Sequence, residues 1–176
     1  GNSYTFRNDL PEVVKGLAEA DNPDFLFVYT KVVYGGRTLG NHWEQFRSQN
    51  ILKLPDLTRE DLQVVCEELE AGAKKAEPLP EPESKDAGRY RGAVQNHQAW
   101  MEMIGEDAPS WDYVVLQSWR DTEGGLQSGY AVYARKFAEL ARKRSARVIL
   151  YCTGPTYQNA VPLEGPPDLE LALEET

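Results

Sequence analysis

Ser3 follows a glycine and an asparagine and stands a few residues ahead of a helical pattern. A serine there can cap a helix, belong to a phosphate loop, or act as a nucleophile. For acyl transfer it would need a base to take its proton and N–H donors around the developing oxyanion. Two glycines, Gly35 and Gly36, close an apolar run, and a residue without Cβ lets a ligand approach the backbone, so Gly36 is a candidate N–H donor. Gln117, at the end of a second apolar run, offers a side-chain amide. The chain has two histidines. His42 reads as a local hydrogen-bonding or cleft-lining residue and, second to that, as a stand-in base. His97 lies mid-helix and reads as a partly buried structural residue. Trp119 and Thr153, in loops after apolar runs, join His42 as candidates for substrate contact, while Arg120 and Asp121 read as surface ion-pairing residues.

The elements that must position these residues alternate in type. Leu10, Val13, Val14 and Leu17 recur at helical spacing behind Asp9, with Glu12 placed to complete a capping box and Pro11 in the first turn. Residues 25–34 are β-branched and aromatic and predict a buried strand ending at the glycine pair. Residues 58–76 predict a helix opened by Thr58 with Asp61 as capping partner. The Pro- and Glu-rich stretch 77–88 predicts a surface excursion within one domain spanning 1–176. Helical patterns at 91–104 and 128–144 flank a second buried strand ending at Gln117, and a third strand lies within 146–154. Strands alternating with amphipathic helices predict an α/β fold with a parallel sheet covered on both faces, whose working groups gather at the carboxyl ends of the strands.

Composition narrows the function classes. A chain of 176 residues with 41% hydrophobic residues has enough length for a sizeable core. Its net charge of −9 argues against a nucleic-acid partner, whose phosphates need clustered Lys and Arg. No apolar run reaches the roughly 18 residues of a membrane span. Cys66 and Cys152 fall in apolar surroundings and read as buried thiols. No Cys/His spacing suggests zinc and no glycine pattern suggests a phosphate loop, so no metal or nucleotide cofactor is expected. Compartment stays open.

Four blocks in order, GNSYTFRNDLP, VVYGGRTLGNHW, WDYVVLQSW and VILYCTGPT, resemble the SGNH (GDSL-like) hydrolase and esterase superfamily, in particular a bacterial branch with GNS in its first block and VVLQ in its third. The resemblance implies a three-layer α/β/α sandwich with a flavodoxin-like parallel sheet, and a serine esterase acting on small acyl esters, O-acetylated carbohydrate among them. It implies Ser3 as nucleophile, Gly36 as backbone oxyanion donor, and Gln117 in the place of the usual asparagine. The family also has a strand before its serine block, central in the sheet, and an Asp-x-x-His block near its C-terminus that supplies the base. Neither occurs between Gly1 and Thr176, and the expectation is that these residues are an internal portion of a longer chain. A strand from elsewhere is then expected between residues 25–34 and 112–117. The rival readings are a non-catalytic binding domain without the base, and a flavin or nucleotide binder, which the opening SYTFRNDL fits poorly.

Overall fold

A computed structural model describes residues 5, 9–22, 24–81, 83–105, 108–119 and 129–151. Helix α1 (Leu10–Asp21) begins with Pro11 in its first turn, as the sequence requires. Its capping box does not form. Asp9 has left-handed backbone angles (φ 45°, ψ 51°), and its side chain makes no cap hydrogen bond. The two carboxylates bond to distant residues instead: Lys31 Nζ lies 2.7 Å from Asp9, and the Tyr29 hydroxyl donates to Glu12 at 2.7 Å.

Residues 25–34 depart from expectation in the same region. They are extended, but among the described residues they join no sheet, and Val28 is 71% exposed. An extended apolar segment becomes a buried strand only where a neighbouring strand takes up its backbone hydrogen bonds, and what lies beside this one among the described residues is helix α1, whose Glu19, Glu12 and Asp9 side chains bind the Phe27 N–H, the Tyr29 hydroxyl and Lys31. Its carboxyl end is anchored to the first core, through Val32 and the buried Tyr34.

Helices α2 (Arg59–Ala76) and α3 (Lys85–Trp100) pack against each other and form the first core. In α2 the capping box of Thr58 and Asp61 is present as the sequence predicts. Leu62, Cys66 and Leu69 face Ala93, Val94 and Trp100 of α3, and each buried leucine contributes about 2 kcal/mol. Gly72 sets how closely the helices approach, because a Cβ there would stand 2.6 Å from the Tyr90 ring. Helix α3 starts earlier than predicted, taking Lys85–Gly88 from the presumed surface excursion, and it ends sooner, at Trp100. The physical reason is Ala87, which is buried and so holds that first turn to the core.

The second core lies under a small sheet. Strand β1 (Tyr113–Leu116) pairs in parallel with β2 (Arg147–Leu150), from Tyr113 opposite Arg147 to Leu116 opposite Leu150. Helix α4 (Gly129–Lys143) connects them in sequence and packs Phe137 and Ala141 with Val114, Leu116 and Val148. The other face of the sheet is open: Tyr113, Val115 and Ile149 are exposed, as are Val13, Val14 and Leu17 of α1. The protein is thus a helix-rich α/β structure with a parallel sheet of two strands among the described residues, covered on one face. Between the cores runs an irregular segment with short turns at Asn41–Gln45, Ser48–Leu52 and Leu54–Asp56. No helix among the described residues is long and apolar enough to cross a membrane.

Among the described residues, 25–34 and β1 belong to no common sheet. Amide hydrogen exchange should find residues 26–31 weakly protected, apart from the Phe27 N–H that donates to Glu19 Oε1 at 3.0 Å, with α2 and α3 exchanging slowest. Protection at 26–31 equal to that of the β1–β2 ladder would show that the segment is already paired.

Candidate functional site

The glycine loop begins at Tyr34, whose ring packs 4.4 Å from Phe46 and whose hydroxyl accepts from Asn96 Nδ2 at 3.0 Å. Burial pushes the Tyr34 hydroxyl up to about 12, against the pull of hydrogen bonds from Asn96 and Ser48, so it stays protonated. The chain then turns sharply at Gly36 (φ 67°), a left-handed conformation that favours glycine. Thr38 and Asn41 close the loop reciprocally: Thr38 N–H donates to Asn41 Oδ1 at 3.1 Å and Asn41 N–H to Thr38 Oγ1 at 3.2 Å.

Two arginines hold the carbonyls of this loop. Arg89 Nε donates to Gly35 O at 3.1 Å, and Arg37 Nη1 to Gly36 O at 3.2 Å. Both guanidinium groups also bind Asp86 Oδ1, Arg37 through Nε (3.1 Å) and Nη2, Arg89 through Nη1 (2.9 Å). Gln45 Nε2 donates to Asp86 Oδ2 at 3.3 Å. Burial alone would raise the Asp86 carboxyl, but the hydrogen bonds from Arg37 and Gln45 and the two positive charges outweigh it, leaving it below the usual carboxylate range.

Two hydrogen bonds join segments far apart in sequence. Leu39, buried in the second core, donates its N–H to Ser118 Oγ at 2.8 Å, tying the glycine loop to the turn after β1. Next to Ser118, Gln117 is 1% exposed, and its Oε1 accepts from Thr5 Oγ1 at 2.5 Å. Thr5 is two residues beyond Ser3. The first, second and third sequence blocks are therefore in contact through Thr5, Leu39, Gln117 and Ser118. Ser3 and Thr153 lie outside the described residues, as do Arg120, Asp121 and Cys152. Trp119 is half-buried beside this turn.

Both histidines are interior. His42 is 2% exposed, its ring lies 5.0 Å from that of Tyr34, and its Nδ1 is 3.0 Å from Ser48 Oγ, a local hydrogen bond. His97 is fully buried: Nδ1 donates to Ala93 O at 2.8 Å, and Nε2 lies 3.3 Å from Asn50 Nδ2. Burial favours the neutral ring. Cys66 is a buried free thiol, and burial pushes it up. Among the described residues no cluster of His, Cys, Asp and Glu is placed to hold a metal ion.

Sequence reasoning did not pick out Thr5, Arg37, Asp86, Arg89 or Ser118. Ser118 adjoins the third block and could have been found there. Asp86 sits in a stretch that reads as solvated charge, and nothing in the local pattern links it to residues 49 positions away. Comparisons with protein-family models, with curated proteins and with solved structures find no significant match to this chain.

The His97 ring makes stability depend on pH in a defined sense. Burial lowers its pKa despite opposing backbone hydrogen bonds, so the unfolded state binds a proton more readily than the native one. The stabilisation is complete above the unfolded value of about 6.5 and declines as pH falls below it. The thermal midpoint should drop between pH 7.5 and pH 5.5, and a His97→Gln variant, less stable throughout, should show a smaller drop over the same interval. An equal drop in both proteins would place the pH dependence elsewhere.

Proposed function

We propose that the protein is a serine-dependent esterase of the SGNH type, with Ser3 as nucleophile. The observation that carries this reading is the convergence of three distant blocks through the Thr5–Gln117 and Leu39–Ser118 hydrogen bonds. In the proposed reaction Ser3 Oγ attacks the carbonyl carbon of a small acyl ester. The oxyanion is stabilised by the N–H groups of Ser3 and Gly36 and by the Gln117 amide, the alcohol leaves, and water releases the acyl group from the serine. The serine proton goes to a general base, which the residues described do not identify. O-acetylated carbohydrate is the substrate class that goes with this reading. No cofactor takes part.

The fold proposed with it is the three-layer sandwich. The open face of β1 and β2 and the unburied apolar residues of α1 are the kind of surfaces that such an architecture brings together, since parallel sheets bury both faces. A second reading, a non-catalytic binding domain on the same scaffold, is favoured by one observation: both histidines are interior and hydrogen-bonded.

Hydrolysis of nitrophenyl acetate by the full chain separates the two. Ser3→Ala should abolish it while altering stability by no more than a lost cap, about 1 kcal/mol. Gln117→Ala should lower kcat about 10²- to 10³-fold, the usual loss for one oxyanion donor. A serine-directed fluorophosphonate should label Ser3, as read by mass spectrometry of the modified peptide. Full activity in Ser3→Ala, or labelling elsewhere with Ser3 untouched, overturns Ser3 as nucleophile, and wild-type protein that neither hydrolyses the ester nor takes the label leaves the binding domain as the surviving reading.

A further inference from the structure

We infer that Asp86 is a positioning residue for the oxyanion site, acting through Arg89 and Arg37 on the peptide groups of the glycine loop; the inference rests on the proposed role of the Gly36 N–H. The carbonyl of Gly35 and the N–H of Gly36 belong to the same planar trans peptide, and so point in opposite directions. Fixing the carbonyl oxygen therefore fixes the direction of the N–H. Arg89 Nε does this at 3.1 Å, and Arg37 Nη1 does the same at 3.2 Å for the next peptide, whose N–H belongs to Arg37. A glycine pair has no side chain to limit its dihedral angles, and Gly36 already occupies the left-handed region. Its N–H direction must come from outside the loop.

Neither arginine could hold that position alone, because a guanidinium on a flexible stem gains order only from a second, rigid partner. Asp86 is that partner. It stands in the first turn of α3, a helix anchored by the core, and its Oδ1 receives both guanidinium groups while Gln45 binds Oδ2. The carboxylate is about four-fifths buried, with side-chain exposure of 21%, so water competes weakly for these bonds. A cation on each carbonyl also polarises the peptide and strengthens its N–H as a donor. The order of dependence is Asp86, then the arginines, then the carbonyls, then the N–H groups that face the substrate oxygen.

The test uses the full chain and two independent readouts. Asp86→Asn keeps the size of the side chain but removes its charge. It should lower kcat for nitrophenyl acetate about 10- to 100-fold with KM changed less than about twofold, a smaller loss than deleting a donor outright. Asp86→Glu should recover part of that loss. Arg89→Lys, which leaves a positive charge but cannot bind Asp86 and Gly35 O as a fork, should act in the same direction if Asp86→Asn folds poorly. By amide NMR, the Gly36 and Arg37 resonances should shift or broaden in each variant while those of α2 stay in place. An unchanged kcat, or a reduced kcat with unchanged Gly36 and Arg37 amides, overturns the inference. Wild-type protein without Ser3-dependent hydrolysis overturns the esterase reading and the catalytic role together, and the amide resonances then report separately on whether Asp86 orders the loop.

Discussion

The structure depends on an irregular segment, Tyr34 to Leu54, that runs between the two cores with most of its buried polar side chains hydrogen-bonded. It supplies Tyr34, Phe46 and Leu54 to the core between α2 and α3, and Leu39 and Leu52 to the core beneath the sheet. A chain without long helices or strands can be buried only if its donors and acceptors find partners, since an unpaired buried group costs about 1–3 kcal/mol. The bonds from Leu39 to Ser118, from Asn50 to His97 and between His42 and Ser48 meet that constraint. The two cores hold their relation to each other through it.

The same segment explains why the candidate site is where it is. The glycine loop leaves the first core at Tyr34 and enters the second at Leu39, so residues 35–38 bridge the two. Ser118 and Gln117 receive it at the carboxyl end of β1, the position where parallel α/β structures collect functional groups. The charges arranged around the loop differ from those on the surface. Pairs such as Arg59 with Glu102 and Lys85 with Glu81 are largely exposed and contribute little. The Asp86 carboxylate, shared by two arginines and mostly withdrawn from water, is held in one geometry and carries the order of the loop with it.

Local signals determined what local physics could enforce. The Thr58–Asp61 box is satisfied within a few residues, and it, the amphipathic helix α4 and the β-branched strand β1, which finds its partner in β2, form where the sequence places them. Asp9 and Glu12 carry an equally good local signal and do not form a cap, because Lys31 and Tyr29 compete for the same carboxylates from outside the helix. The run at 25–34 has strand composition, but strand formation requires a partner that composition cannot supply.

Of the candidate site, the sequence by itself determined the residue types and their order: a serine ahead of a helix, a glycine pair after an apolar run, an amide after another. Only the tertiary structure decided which of them meet. Thr5 and Gln117 touch across 112 positions, Leu39 and Ser118 across 79, and Arg37 and Asp86 across 49. It also placed both histidines in the interior, His42 beside Tyr34 and His97 beside Trp100. The reason is the same throughout: a hydrogen bond between distant residues is set by how the two cores pack, and no periodicity along the chain records it.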